Sequence, residues 1–129
     1  MKTKPVGCPC GGNKEYIDCC GRYLDKSEVP ATAEGLMRSR YTAYTLKRED
    51  YLLATWHCST RPISLEMSDR SHNQWLGLTV KRYEHSGAEH AIVEFVARYK
   101  VGGRAYRLHE ISRFVCDKGR WFYVDGEII

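Results

Sequence analysis

The segment HAIVEFVARYKVGGRAYRLHEISRFVC, residues 90–116, decides the fold of this chain. Apolar and polar residues alternate on both sides of a glycine pair, which indicates two strands that each bury one face. Gly102 and Gly103 predict the turn between them, because glycine readily adopts the positive φ angles of a tight hairpin. The segment therefore predicts an antiparallel hairpin. The apolar face of its first strand consists of Ala91, Val93, Phe95, Ala97, Tyr99 and Val101.

Two further strands flank this hairpin. Residues 76–85, LGLTVKRYEH, alternate in the same way and are followed by a turn around Gly87. Residues 121–128, WFYVDGEI, follow a second turn at DKGR. The sequence thus predicts a four-stranded antiparallel meander whose strands pair in chain order.

The spacing of apolar residues becomes helical upstream of the sheet. Residues 33–50 have apolar side chains at three- and four-residue steps, and they follow Thr32, a favourable N-cap residue. This pattern predicts an amphipathic helix. Its solvated side is predicted to carry the basic residues Arg38, Arg40, Lys47 and Arg48.

Two shorter helices are predicted between this helix and the sheet. The first opens at Asp50 and ends at His57, and the second lies around Leu65 to His72. Helices that precede a sheet, rather than alternate with its strands, indicate an α+β fold. We expect the four-stranded antiparallel sheet to curve over the N-terminal helices as a cone, with the apolar faces inward.

Four of the six cysteines lie in the segment CPCGGNKEYIDCC, residues 8–20. They are Cys8, Cys10, Cys19 and Cys20, and a glycine-bearing loop separates the two close pairs. This arrangement is typical of a tetrahedral site with four sulfur ligands, so we favour one zinc ion held by four thiolates. A closed site of this kind has no position for water and is structural.

Three alternatives stay open for these cysteines. They form disulfides in a secreted protein, or three of them bind a metal while Cys19 or Cys20 is spare, or they act as a redox pair. Residues 1–7 contain two lysines and no apolar run, so we expect no signal peptide. A zinc site without a signal peptide indicates the reducing cytoplasm.

The stretch CPCGGNKEYIDCCG resembles the SEC-C motif, the zinc-binding tail of the SecA translocation ATPase. The four ligand positions of that motif match Cys8, Cys10, Cys19 and Cys20. In the translocase the tail is a docking surface for other proteins. The resemblance therefore implies a structural zinc ion and an interaction with a protein or ribosomal partner through residues 1–24.

The whole chain resembles the YchJ-type protein family, which has no established activity. The resemblance rests on the SEC-C stretch and on TAEGLMRSRYTAY, TWH, WLGL, FVARY, HEISRF and WFYVDG. It implies a SEC-C-like zinc motif over residues 1–24. Over residues 25–129 it implies a nuclear transport factor 2-like (cystatin-like) α+β domain.

Composition excludes several classes of protein. The 129 residues are 43% hydrophobic and 12% aromatic, which indicates a globular rather than a disordered chain. No apolar run reaches the length of a membrane span, so no membrane role is expected. The formal net charge is +4, and four thiolates with one divalent zinc ion lower it by two. Such a mild charge does not by itself indicate a nucleic-acid partner.

Polar residues interrupt the predicted apolar face of the cone. Glu110 and Ser112 lie in the middle of the apolar face of residues 105–116. A carboxylate there is costly unless it is paired, and burial disfavours its charged form, which suits a general base or acid. Cones of this kind often enclose a pocket between sheet and helices. His57 and Tyr99 are the other catalytic candidates, because His57 at the end of the second helix is expected to approach this cavity, and Tyr99 offers a hydroxyl on the apolar face of the neighbouring strand.

Each candidate also has a purely structural interpretation. Glu110 forms an ion pair with Arg40, Arg113 or another arginine, and so joins helix to sheet. His57 is a half-buried residue at a helix end, where the helix dipole favours a cation.

Three classes of function follow, and the sequence favours a role without catalysis. The first is an interaction module that docks through the exposed basic and aromatic residues of the zinc knuckle. The second is a small-molecule-binding protein or enzyme that uses the cone. The third, and least favoured, is single-stranded nucleic-acid binding by the knuckle and the basic first helix. A homodimer through the sheet is a further expectation. The knuckle residues concerned are Lys14, Tyr16, Arg22 and Tyr23.

Overall fold

The computed structural model of this chain describes residues 7–12, 14–65 and 74–129. A 3-10 turn at Tyr16–Asp18 precedes three helices and four strands. The helices are α1 (Gly21–Leu24), α2 (Ala33–Thr45) and α3 (Glu49–Ala54). The strands are β1 (Gln74–His85), β2 (His90–Val101), β3 (Arg104–Asp117) and β4 (Arg120–Ile128).

The strands form one antiparallel sheet in the order β1-β2-β3-β4. The predicted hairpin at its centre is confirmed, and Gly102 and Gly103 both have positive φ, at 58° and 80°. Alternation along β2 is also confirmed, because Ala91, Val93 and Phe95 are buried. The α+β prediction is therefore correct.

Helix α2 packs against the inner face of the sheet and forms the other half of the core. The predicted N-cap is confirmed, since the backbone N–H of Gly35 donates to Thr32 Oγ1 at 3.0 Å. The helix ends at Thr45 and not at residue 50 as predicted. Lys47 adopts a left-handed φ of 58°, which breaks the helix before α3 begins at Glu49.

Replacing Thr32 by alanine should lower the free energy of unfolding by about 1 kcal/mol, because α2 loses the acceptor at its N-terminus. Chemical denaturation measures this loss. Thr32→Ser is the control, since its hydroxyl keeps the cap. An alanine variant as stable as the parent would contradict the capping role.

The burial of Arg40 differs from the prediction for α2. It was expected on the solvated side, but it is only 5% exposed. Its Nη1 donates to the Leu52 carbonyl at 2.8 Å and to Thr55 Oγ1 at 2.7 Å. Its guanidinium also lies over the rings of Trp56 and Tyr123. The charge is buried because α3 and β4 close over this part of α2 and provide acceptors and aromatic faces in place of water.

The short helix expected around residues 65–72 lies outside the described residues, apart from Leu65.

Among the helices that the structure describes, none combines the length and the apolar character that crossing a membrane requires.

Candidate functional site

The four cysteines of the N-terminal motif converge at one point. The Sγ atoms of Cys8, Cys10, Cys19 and Cys20 all lie within 4.8 Å of one another. Cys10 Sγ and Cys19 Sγ are 3.7 Å apart, which is far longer than a disulfide bond of about 2.05 Å. A tetrahedral zinc ion with bonds of about 2.3 Å spaces its sulfur ligands by about 3.8 Å. The residues therefore fit a four-sulfur zinc site.

Two local turns bring these sulfurs together. Gly11 has a φ of 87°, and its N–H donates to the Cys8 carbonyl at 3.0 Å, which folds the first pair back. Cys20 is the N-cap of α1, so the second pair sits at the start of a helix. Gly21 is required there, because any Cβ would lie 2.7 Å from the Tyr16 carbonyl oxygen.

The four-cysteine motif packs directly on helix α2. Thr42 Oγ1 lies 3.7 Å from Cys8 Sγ, and Arg38 Nη1 donates to the Cys10 carbonyl at 2.8 Å. Cys8, Cys10 and Cys20 are buried and belong to the same apolar cluster as the core of the cone. The motif is thus part of the core on this side of α2.

The buried thiols of this cluster shift one another's pKa values, because they share hydrogen bonds: the pKa of Cys8 is lowered, and those of Cys10 and Cys20 are raised. Hydrogen bonding with Cys10 and Cys8, together with burial, raises the pKa of Cys20 well above its ordinary value. Four thiolates in one buried site need a compensating positive charge, which a divalent ion supplies. All six cysteines are free thiols in this structure.

A second feature is a cavity of about 260 Å³ between α2 and the sheet. Residues from α2 and from all four strands line it, as expected for a cone that encloses a pocket. Most of its wall is apolar or aromatic. The apolar part consists of Met37, Phe95, Ala97, Leu108 and Phe114.

Glu110 lies on the sheet side of this cavity, next to Ser112. The Ser112 hydroxyl donates to Glu110 Oε2 at 2.8 Å. Within the described part of the chain, no basic group forms an ion pair with Glu110. Arg113, one predicted partner, instead binds Asp125 at 2.6 Å. The predicted ion pairs with Arg40 and Arg113 are therefore wrong.

Gly126 makes the position of this carboxylate possible. Glu110 Oε2 occupies the space that a Cβ on Gly126 would fill. The two residues lie on adjacent strands, because Gly126 pairs with Ser112 across the β3–β4 ladder. The carboxylate thus lies between the Ser112 hydroxyl and the backbone of Gly126.

The cavity wall carries further polar groups that were not predicted as site residues. These are the Arg40 guanidinium and the hydroxyl-bearing ring of Tyr44 on α2, and the hydroxyl-bearing ring of Tyr123 on β4. Burial raises the pKa of Tyr44 and raises that of Tyr123 to about 12, so both hydroxyls stay protonated at neutral pH. Burial lowers the pKa of Arg40. The helical spacing of Arg40 and Tyr44 with Met37 was the signal that these side chains share one face.

His57 and Tyr99 do not line the cavity, so the expectation that His57 approaches it is wrong. His57 Nε2 lies 3.3 Å from Asp117 Oδ2, at the end of β3. Asp117 is seven residues from Glu110 along that strand, or about 23 Å. Tyr99 packs against Trp75, which does line the cavity, with ring centroids 5.3 Å apart.

The basic and aromatic residues of the knuckle are largely engaged within the chain. Tyr16 donates its hydroxyl hydrogen to Asp25 at 2.8 Å, and Arg22 Nη2 donates to the Tyr23 hydroxyl at 2.8 Å. On helix α2, Arg38 pairs with Glu34, and Arg40 is buried. Arg38 and Arg40, two of the basic residues predicted on the solvated side of α2, are therefore engaged within the protein.

Comparison with known proteins shows which family this chain belongs to. A model of the family described as "YchJ, middle NTF2-like domain" matches residues 32–126, which is most of the chain. The chain belongs to the YchJ family. Two related proteins, both called UPF0225 protein, come from Chromobacterium violaceum and Methylibium petroleiphilum. They are 56% and 54% identical, and each alignment covers 98% of this chain and at least 92% of the relative.

Two solved structures support the YchJ assignment over the whole length. A SEC-C motif containing protein from Rhodopseudomonas palustris is 36% identical, with a TM-score of 0.83, covering 96% of this chain and 99% of its own. A second one, from Psychrobacter arcticus, is 27% identical, with a TM-score of 0.77, covering 97% and 84%. The YchJ fold and the SEC-C motif, both predicted from the sequence, are thus shared with these proteins.

Proposed function

We propose that this protein binds a small molecule in the cavity between α2 and the sheet, and that a structural zinc ion stabilises the body around it. The observation that carries the proposal is the Glu110 carboxylate, which faces the cavity without an ion-pair partner. An unpaired carboxylate in an apolar wall costs free energy, and a ligand that pairs with it would offset that cost.

The size and the lining of the cavity also support this proposal. A dry cavity of about 150 Å³ admits benzene. The cavity here is about 260 Å³, so it has room for one ring with substituents. His57 does not line the cavity and its ring contacts Asp117 instead, so the proposal is binding and does not extend to catalysis.

The proposed zinc ion has a supporting role. Its four cysteine ligands pack on α2 through Thr42 and Arg38, and α2 also carries one wall of the cavity. A metal that fixes one side of α2 therefore helps to hold the cavity open on the other side. Four thiolates with zinc suit the reducing cytoplasm, the location we propose.

Ligand binding in the cavity is testable with single-ring compounds and the three tryptophans of the chain. Trp75 lines the cavity, whereas Trp121 does not. In a nitrogen–proton NMR spectrum, the Trp75 indole signal should shift on titration, and the Trp121 signal should stay nearly fixed. A set of ring compounds that leaves Trp75 unmoved, with no small molecule co-purified, would contradict the proposal.

A variant whose side chain fills the cavity tests whether ligands bind there. Ala97 is buried in its wall, so Ala97→Leu places added carbon atoms into the empty space. Binding should weaken at least about tenfold, while the melting temperature stays within a few degrees, since the new methyl groups fill space rather than displace neighbours. Glu94→Gln on the other face of the sheet is the control.

Docking through the zinc knuckle is the second candidate function. Ile17 is 54% exposed on the knuckle, and Lys14, three residues before it in the sequence, is also exposed. An exposed apolar residue and an exposed cation on one small motif suit a protein or ribosomal partner. This candidate ranks below ligand binding because Tyr16, Arg22 and Tyr23 already have partners within the chain.

A further inference from the structure

The cavity carries charges of opposite sign on opposite walls. Glu110 belongs to β3 on the sheet side, and Arg40 belongs to α2 on the helix side. Across the residues that the structure describes, no ion pair within 4.0 Å joins the two groups or gives either one another charged partner. The cavity lining therefore has one negative group and one positive group that do not pair with each other, and their net charge is zero.

Each of these groups keeps atoms that a ligand can reach. Glu110 uses Oε2 to accept from Ser112, and Arg40 uses Nη1 for both of its hydrogen bonds. No described side-chain nitrogen or oxygen is both buried and without a partner. Glu110 Oε1 and the remaining guanidinium nitrogens of Arg40 therefore open onto accessible space. One wall offers an acceptor and the other wall offers donors.

The space between these walls suits a flat ring. Trp75 meets Tyr41 edge to face, with centroids 5.7 Å apart, and lies 6.3 Å from the ring of Tyr44. Aromatic walls of this kind favour stacked or edge-on contact with a planar guest. The cavity volume admits a six-membered ring with small substituents.

We infer, on the basis of the proposed function, that the ligand is a net-neutral planar ring with both a hydrogen-bond donor and a carbonyl acceptor. Cyclic amides and hydroxy-carbonyl rings belong to this class. The donor binds Glu110 Oε1, and the carbonyl binds the guanidinium of Arg40. A purely cationic ligand leaves Arg40 unpaired and is repelled by it, and a purely anionic ligand has the same conflict with Glu110.

The test compares 2-pyridone with N-methyl-2-pyridone, two rings with the same carbonyl that differ in the N–H donor. NMR titration of the Trp75 indole gives both dissociation constants. The methyl compound should bind at least about tenfold more weakly, because it leaves Glu110 without a donor. Benzylamine and benzoate, the singly charged rings of similar size, should both bind more weakly than 2-pyridone.

Three variants connect this preference to Glu110. Glu110→Gln should reduce the difference between the two pyridones to less than about threefold, since a neutral amide is a weaker acceptor. Gly126→Ala should weaken 2-pyridone binding without removing the carboxylate, because its Cβ takes the place of Oε2. Glu94→Gln is the matched control, since Glu94 faces away from the cavity and pairs with His109 and Arg82. Circular dichroism verifies that each variant is folded.

The possible results separate this inference from the proposed function. If benzylamine or benzoate binds more tightly than 2-pyridone, or if the two pyridones bind equally, the ligand class is wrong while the cavity remains a binding site. If no ring compound moves the Trp75 signal, the proposed function fails and the ligand class fails with it.

Discussion

Replacing Cys19 and Cys20 by serine should remove zinc from the protein and lower the free energy of unfolding by about 3 kcal/mol or more. The melting temperature should fall by about 10 °C. The effect is large because Cys8, Cys10 and Cys20 are buried in the core and Cys8 contacts Thr42 of α2, so loss of the metal leaves unpaired polar groups inside the fold. Native mass spectrometry with metal analysis gives the zinc content, and thermal denaturation gives the stability.

The matched control for this double variant is Cys58→Ser. Cys58 is an exposed free thiol outside the four-sulfur cluster. The control should keep one zinc ion per chain and the melting temperature of the parent. A parent protein without zinc, or a double variant as stable as the parent, would refute the zinc assignment.

Replacing Arg40 by methionine should lower the free energy of unfolding by about 2–3 kcal/mol. Methionine keeps much of the side-chain volume but takes away the donor for the Leu52 carbonyl and Thr55 Oγ1, which lie under α3. Leaving buried acceptors unpaired costs about 1–3 kcal/mol each, and the contacts with Trp56 and Tyr123 add to the loss. Removing the buried charge recovers part of the lost stability, because burial disfavours the charged form of Arg40 and so lowers its pKa.

Chemical denaturation of the methionine variant decides between these opposing effects. Arg113→Met is the control, because Arg113 is an exposed arginine whose ion pair with Asp125 is worth at most about 1 kcal/mol. An Arg40→Met protein as stable as the parent, or more stable, would mean that desolvation of the charge outweighs its hydrogen bonds.

Local features of the sequence were enough to predict most of the fold. Alternation along residues 90–101, the glycine pair that follows and the N-cap at Thr32 all correspond to observed elements. These features depend on neighbours within a few residues, so their signal is present in the chain itself. The helix boundary at Thr45 was missed, because the positive φ of Lys47 has no strong marker in the sequence.

The candidate site was predicted only in part. The spacing of the four cysteines places their sulfurs together, because short turns within one segment set the geometry. The cavity was expected with Glu110 and Ser112 facing it, and both residues line it. His57 was expected at the cavity as the last residue of a helix, but that helix ends at Ala54, and His57 follows it and contacts Asp117 at the end of β3.

The sequence by itself thus determined the strand order, the N-terminal cap and the set of residues that form the cysteine cluster. Only the tertiary structure decided that Arg40 is buried and that Glu110 has no charged partner. The partners of a polar side chain come from distant elements: α3 supplies the acceptors for Arg40, and Gly126 on β4 leaves the space that the Glu110 carboxylate occupies. The periodicity of the sequence indicates which face of a helix or strand a residue occupies. The packing of separate elements determines which residues that face contacts.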